Sequence, residues 1–109
     1  MELPVTDGAA DKPVILLVDD EPSILSSLRR LLRNQPYELL LAESGADALQ
    51  LLQQRPINLV MSDARMPNMD GATLLAHVHE RFPDTLRILL TGYADTDTIA
   101  KAINDGHIY

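Results

Sequence analysis

From Val14 onward the chain alternates two kinds of hydrophobic pattern. Short runs that are apolar at nearly every position, bounded by turn residues, suit strands covered on both faces; longer stretches with apolar residues three and four apart suit amphipathic helices. Val14 to Val18 is such a run and reads as a central parallel strand. A helix follows Pro22, a residue tolerated in a first turn. It carries Ile24, Leu25, Leu28, Leu31 and Leu32 on one face and Arg29, Arg30 and Arg33 toward its C-terminal end, where the helix dipole favours cations. Glu38 to Ala42 is the second strand. Ser44, with Asp47 three positions on, offers a capping-box start for a helix that buries Ala48, Leu49 and Leu52, and Pro56 closes it. Ile57 to Ser62 is the third strand, and Gly71, Leu74, Leu75, Val78 and Phe82 mark the inner face of a third helix that Pro83 ends. Leu86 to Leu90 is the fourth strand. Asp95 to Asp105 is a fourth helix with Ile99, Ala102 and Ile103 inward and Gly106 in the C-cap place, and His107 to Tyr109 begins a fifth strand.

Alternation of this length predicts an α/β fold with a parallel sheet and helices on both faces, because right-handed crossovers leave few other topologies. The expected architecture is the flavodoxin-like doubly wound sheet with strand order 2-1-3-4-5, truncated in or after strand five and without a fifth helix. One sheet face would then carry only the first helix, and if the chain is complete, dimerisation or strand exchange between two copies could cover the apolar area left on it. Residues 1–13 hold two prolines, a glycine and three acids with no apolar period, and read as a flexible leader to one domain spanning 14–109.

Composition narrows the chemistry. The absence of cysteine excludes disulfides, thiolate metal sites and thiol nucleophiles. No apolar run is long enough to cross a bilayer and the first residues lack a signal-peptide pattern, so a soluble cytoplasmic protein without membrane contact is expected. A net charge of −7 argues against nucleic acid as a direct ligand.

The ligand site of such a sheet lies beyond the carboxyl ends of its strands, where strands one, three and four are neighbours. Strand one ends in Asp19, Asp20 and Glu21, strand three in Asp63, and strand four in Thr91 followed by Gly92. Two carboxylates about 4 Å apart repel by roughly 4 kcal/mol at an effective dielectric of 20, so the cluster calls for a cation. With only oxygen donors at these ends a hard ion is preferred, and Mg²⁺ fits because it needs few protein carboxylates. A metal beside a carboxylate suits phosphoryl transfer to that carboxylate, giving an acyl phosphate, with the Thr91 hydroxyl bonding a phosphoryl oxygen and Gly92 leaving it room. Taken singly these residues have plainer readings. Asp19 and Asp20 serve equally as helix-start acids, and Thr91 as a strand-end hydroxyl bonding its own backbone. His77 and His79 lie two apart on a helix, face different directions and make a poor metal pair; they and His107 read as structural or solvated. The three arginines read as a solvated helix end, Met61 as core, and Met66 and Met69 as adaptable contact residues.

Three runs carry a resemblance: Ile-Leu-Leu-Val-Asp-Asp-Glu-Pro at 15–22, Leu-Val-Met-Ser-Asp-Ala-Arg-Met-Pro-Asn-Met-Asp-Gly at 59–71, and Leu-Leu-Thr-Gly-Tyr-Ala at 89–94. In this order and spacing they resemble the signature blocks of response-regulator receiver domains of bacterial two-component signalling. The resemblance implies that Asp63 is the phosphoacceptor. Asp20, Asp63 and the backbone carbonyl of Arg65 would ligate Mg²⁺, and Asp19 would act through a metal-bound water. Thr91 would be the switch hydroxyl, and Pro67 and Gly71 would shape the loop into the third helix. Receivers also carry a lysine followed by proline at the end of strand five and a switch aromatic before it. The chain stops short of the lysine, and Tyr109 is the candidate aromatic, although its run also resembles a variant in which another aromatic follows two residues later. The partners implied are a sensor histidine kinase or phosphotransfer protein and an output domain, of cyclic-dinucleotide phosphodiesterase or transcriptional type, or a separate target. Two rivals remain: a receiver-like module that acts without phosphate, and a small aspartate-dependent phosphatase. The phosphatase usually needs a second acid where Arg65 stands.

Overall fold

The computed structural model describes residues 12–90. Strands and helices alternate along them: β1 (Val14–Val18), α1 (Pro22–Leu31), β2 (Glu38–Ala42), α2 (Gly45–Gln54), β3 (Leu59–Asp63), α3 (Gly71–Arg81) and β4 (Leu86–Leu90). The sheet order is β2-β1-β3-β4, every pairing parallel, as the sequence pattern predicts for its first four strands. The predicted fourth helix at 95–105, the start of a fifth strand at 107–109 and leader residues 1–11 lie outside the described residues.

β1 is apolar throughout because it is buried on both faces. Its side chains alternate between two layers, as the pleat requires. Ile15 and Leu17 pack with Leu25 and Leu28 of α1, with Leu32 at its C-terminal cap, and with Leu59, Met61 and Ile88. Val14, Leu16 and Val18 face the opposite way, onto Ala48 and Leu52 of α2 and Leu74 and Val78 of α3. Burying each such aliphatic side chain stabilises the fold by about 1.5–3 kcal/mol. α1 departs from its predicted face at one position: Leu31 is 43% exposed. Leu25, Leu28 and Leu32 define the centre of the buried stripe, and Leu31, a full 100° step from Leu32, falls at its margin. Met66, for which the sequence supports no firm assignment, is buried in the layer beneath α2 and α3.

The helix starts follow local chemistry. Ser44 Oγ accepts the Asp47 N–H at 3.1 Å, and Asp70 Oδ1 accepts the Thr73 N–H at 2.8 Å. At the rim of the sheet, Arg55 at the end of α2 donates two hydrogen bonds, 2.7 and 2.8 Å, to the carboxylate of Glu38 at the start of β2. Those bonds hold the Glu38 carboxyl below its ordinary pKa, yet both groups stay well solvated, so the pair adds little stability.

β3 begins two residues later than its hydrophobic run predicts and ends one residue later. The late start has a chemical cause. Asn58 places its side-chain Oδ1 on the Val14 N–H at 2.7 Å, taking a place that a backbone carbonyl fills in a regular ladder, while its own N–H reaches the Val14 carbonyl at 2.9 Å. Just before it, the Ile57 carbonyl accepts the buried Thr85 hydroxyl at 2.8 Å. At the other end Asp63 pairs with Leu90, so the main chain of this acid belongs to the sheet.

Among the described residues no helix is long and apolar enough to cross a membrane. Two substitutions test the frame. Asn58→Leu removes the acceptor from the Val14 N–H and is expected to cost about 1–3 kcal/mol in urea unfolding with an unchanged slope. Gly71→Ala drives a Cβ into the Asp63 carbonyl oxygen. It is expected to cost about 1–3 kcal/mol in the same assay, although alanine is the better helix former.

Candidate functional site

The register of β1 against β3 sets Val18 opposite Ser62. The next residue on each strand is an aspartate, so Asp19 and Asp63 leave the sheet side by side. The Asp19 N–H still reaches the Ala42 carbonyl of β2 at 3.1 Å, which holds the chain in line one residue past the strand. It then turns: the Glu21 N–H donates to Asp19 Oδ1 at 2.9 Å, Glu21 caps α1, and Pro22 opens the helix. Asp20 is exposed between them, while Asp19 and Asp63 are half-buried.

One carboxylate oxygen each from Asp19, Asp20 and Asp63 lies within 4.8 Å of the others. Sequence reasoning had placed these acids on neighbouring strand tips, and the fold brings them together. Burial raises the Asp19 carboxyl above its ordinary pKa, the Glu21 N–H opposes that, and the charges of Asp63, Asp20 and Glu21 reinforce it. Two oxygens on one Mg²⁺ at about 2.1 Å lie at most about 4.2 Å apart, so a small contraction, or a water between one carboxylate and the ion, would seat such a cation. The donors are all anionic oxygens, which favours a hard ion over a soft one. His77, half-buried, and His79, exposed, sit on α3 outside this cluster.

The loop from Ala64 to Asp70 is tied down along its length. The Ala64 N–H donates to the Leu90 carbonyl at 3.1 Å, and the Ala64 carbonyl accepts the Gly71 N–H at 3.1 Å, closing the loop. The Arg65 N–H reaches Asp63 Oδ2 at 3.3 Å and orients that carboxylate. Met66 is buried beneath α2 and α3. Asn68 has φ 70°, a left-handed conformation that asparagine tolerates better than most residues, and the Met69 N–H closes the turn onto the Pro67 carbonyl at 2.8 Å. Gly71 is glycine for lack of space: a Cβ there would meet the Asp63 carbonyl oxygen and stand 2.7 Å from Leu89 Cδ1. Pro67 thus lies on the loop, and Gly71 closes it as the first residue of α3. The structural parts of Asn68 and Met66 had no periodic signal, and only the lone asparagine beside a proline hinted at the tight turn. Thr91, Gly92 and Tyr109 lie outside the described residues.

Comparison with known proteins agrees with this arrangement. The family model for the response regulator receiver domain matches residues 15–108. The hydrogenase transcriptional regulatory protein HoxA of Cupriavidus necator is 36% identical over 95 residues, 87% of this chain and 20% of the relative. The transcriptional regulatory protein GlrR of Escherichia coli is 37% identical over 92 residues, 84% of this chain and 21% of the relative. The chain therefore spans about a fifth of the length of these curated relatives. Among solved structures, the signal receiver domain of an HD domain-containing protein from Pseudomonas fluorescens superposes with a TM-score of 0.74 at 52% identity, covering 91% of this chain and 79% of the other. A CheY-like receiver domain from Methanospirillum hungatei gives 0.71 at 31% identity, covering 88% and 77%. Family match, relatives and fold agree, and the chain belongs to the response regulator receiver domains of two-component signalling.

Proposed function

We propose that Asp63 accepts a phosphoryl group from a sensor histidine kinase or phosphotransfer protein, and that an output domain or separate partner reads its phosphorylation state. The observation that carries this reading is the convergence of the Asp19, Asp20 and Asp63 carboxylate oxygens at the strand tips. Asp20, Asp63 and the Arg65 carbonyl would hold Mg²⁺, and Asp19 would hold one of its waters. When bound, the ion supplies neutralisation of the charge on the transferring phosphoryl oxygens. Asp63 forms the new oxygen–phosphorus bond as the bond from phosphorus to the donor breaks, leaving an aspartyl phosphate. The Arg65 N–H holds Oδ2 and so limits rotation of the attacking carboxylate. Thr91 would then bond a phosphoryl oxygen, Gly92 would leave it room, and Tyr109 would follow as the switch aromatic. Relatives with transcriptional and HD domain-containing names make a gene-regulatory or enzymatic output the natural reader.

Incubation with acetyl phosphate and Mg²⁺ is expected to add the mass of one phosphoryl group to the intact protein. The gain should vanish in Asp63→Asn and in excess chelator; labelling of Asp63→Asn at the wild-type level would end the proposal.

Asp19 provides a second test. Its raised pKa means that the folded state binds this proton more tightly than the unfolded state, so the ionised group opposes folding at neutral pH. The penalty is absent below the ordinary value of 3.8 and complete above the raised one. Asp19→Asn keeps an acceptor for the Glu21 N–H, and in chelator at neutral pH it is expected to melt a few degrees above the wild type. That gap should close as the pH falls toward 3.8. Adding Mg²⁺ is expected to raise the wild-type melting temperature more than that of the variant, as a ligand of the folded state does.

A further inference from the structure

Gly45 opens α2 with ordinary backbone angles, so its lack of a side chain is not required by conformation. Gly45 stands in the first turn, where glycine costs less than the roughly 1 kcal/mol of a helix interior, so what marks the position is a close neighbour. That neighbour is Met69. A Cβ on Gly45 would stand 2.6 Å from Met69 Sδ, 3.1 Å from its Cγ and 3.2 Å from its Cβ. The sulfur end of the side chain can swing aside, but Met69 Cβ moves only with its own backbone. Met69 is half-buried and packs on the α2–α3 layer, so the contact joins the loop after β3 to the first turn of α2.

The loop has little freedom to absorb a push at Met69. On one side Gly71 is backed against the Asp63 carbonyl and hydrogen-bonded to Ala64. Between them, the Met69 N–H is committed to the tight turn around Asn68. Displacement is therefore passed back along the loop toward Arg65, whose N–H holds Asp63 Oδ2 and whose carbonyl faces the proposed ion in the reading given above.

We propose that Gly45 is a positioning residue for the Asp63 site: by leaving space for the Met69 side chain it sets the β3–α3 loop and, through that loop, the Arg65 backbone beside Asp63. The inference rests on the phosphoacceptor reading for its consequence, and on the Gly45–Met69 packing for its geometry. Neither residue touches the reacting atoms.

Amide NMR of the metal-free protein, followed by Mg²⁺ titration, tests it with Gly45→Ala, Met69→Ala and the double variant. Gly45→Ala is expected to move the Arg65 and Met69 amide resonances and to weaken Mg²⁺ binding about tenfold, the low end of what lost support around a metal ligand costs. The melting temperature should stay within the range of the wild type, and acetyl phosphate labelling should slow in step with the ion. Met69→Ala in the Gly45→Ala background removes the Sδ and Cγ collisions and leaves only the 3.2 Å approach to Cβ, so it should recover part of the shift in both resonances and affinity; a merely destabilising pair of changes would not recover. Unmoved Arg65 and Met69 resonances in Gly45→Ala, or a double variant no better than the single one, would overturn the inference. A wild type that binds no Mg²⁺ and takes no phosphoryl group would instead overturn the function, leaving the steric link to be judged by the metal-free resonances.

Discussion

Parallel pairing of β1 with β3 is the constraint on which the site depends. Once Val18 stands opposite Ser62, Asp19 and Asp63 leave adjacent strand tips, and the turns after them set the carboxylates so that oxygens of Asp19, Asp20 and Asp63 lie within 4.8 Å of one another. Electrostatics alone would scatter them, since each close pair of like charges opposes assembly by up to about 4 kcal/mol in a partly screened setting. The opposing force is the apolar content of the strands, with Ile15, Leu16, Leu59 and Val60 fully buried along the two that carry the acids. The core thus holds together a local arrangement of like charges that a cation would relieve.

Much of this was legible in the chain. The bounds of β1, β2 and β4 follow from apolar-rich runs, continuous and buried on both faces in β1, opened by Glu38 in β2 and interrupted by Arg87 in β4. Asp19, Asp20 and Asp63 could be placed on neighbouring tips from those runs and the sheet order alone. The part each acid plays came only from likeness to receivers, since spacing cannot say which carboxylate attacks. What the pattern misjudged has identifiable physical sources. Asn58 delays β3 by substituting a side-chain amide for a backbone acceptor, a choice invisible to hydrophobicity. Leu31 lies at the margin of a helical stripe, where apolar character no longer decides burial. The closeness of Gly45 to Met69, and of Gly71 to Asp63, depends on distances between elements far apart in sequence.

Charge is also divided along the molecule. Helices of a parallel sheet run opposite to its strands, so Arg29 and Arg30 in the last turn of α1, with Arg55 capping α2, stand at the end remote from Asp19, Asp20 and Asp63. The helix dipoles favour these cations where they are. The three acids make their end locally negative, so under the function proposed above a cation there would ease the approach of a phosphoryl group as well as its transfer.

Asp63 is held by its main chain as firmly as any core residue. It is paired to Leu90 on one side, and the first residue of α3 lies against its carbonyl. An aspartate on a free loop could retreat to make room for an added group; this one has no slack behind it. Under the function proposed above, accommodation would have to come from ahead of the strand tip, so the stiffness of one backbone position would determine in which direction a chemical change on its side chain is felt.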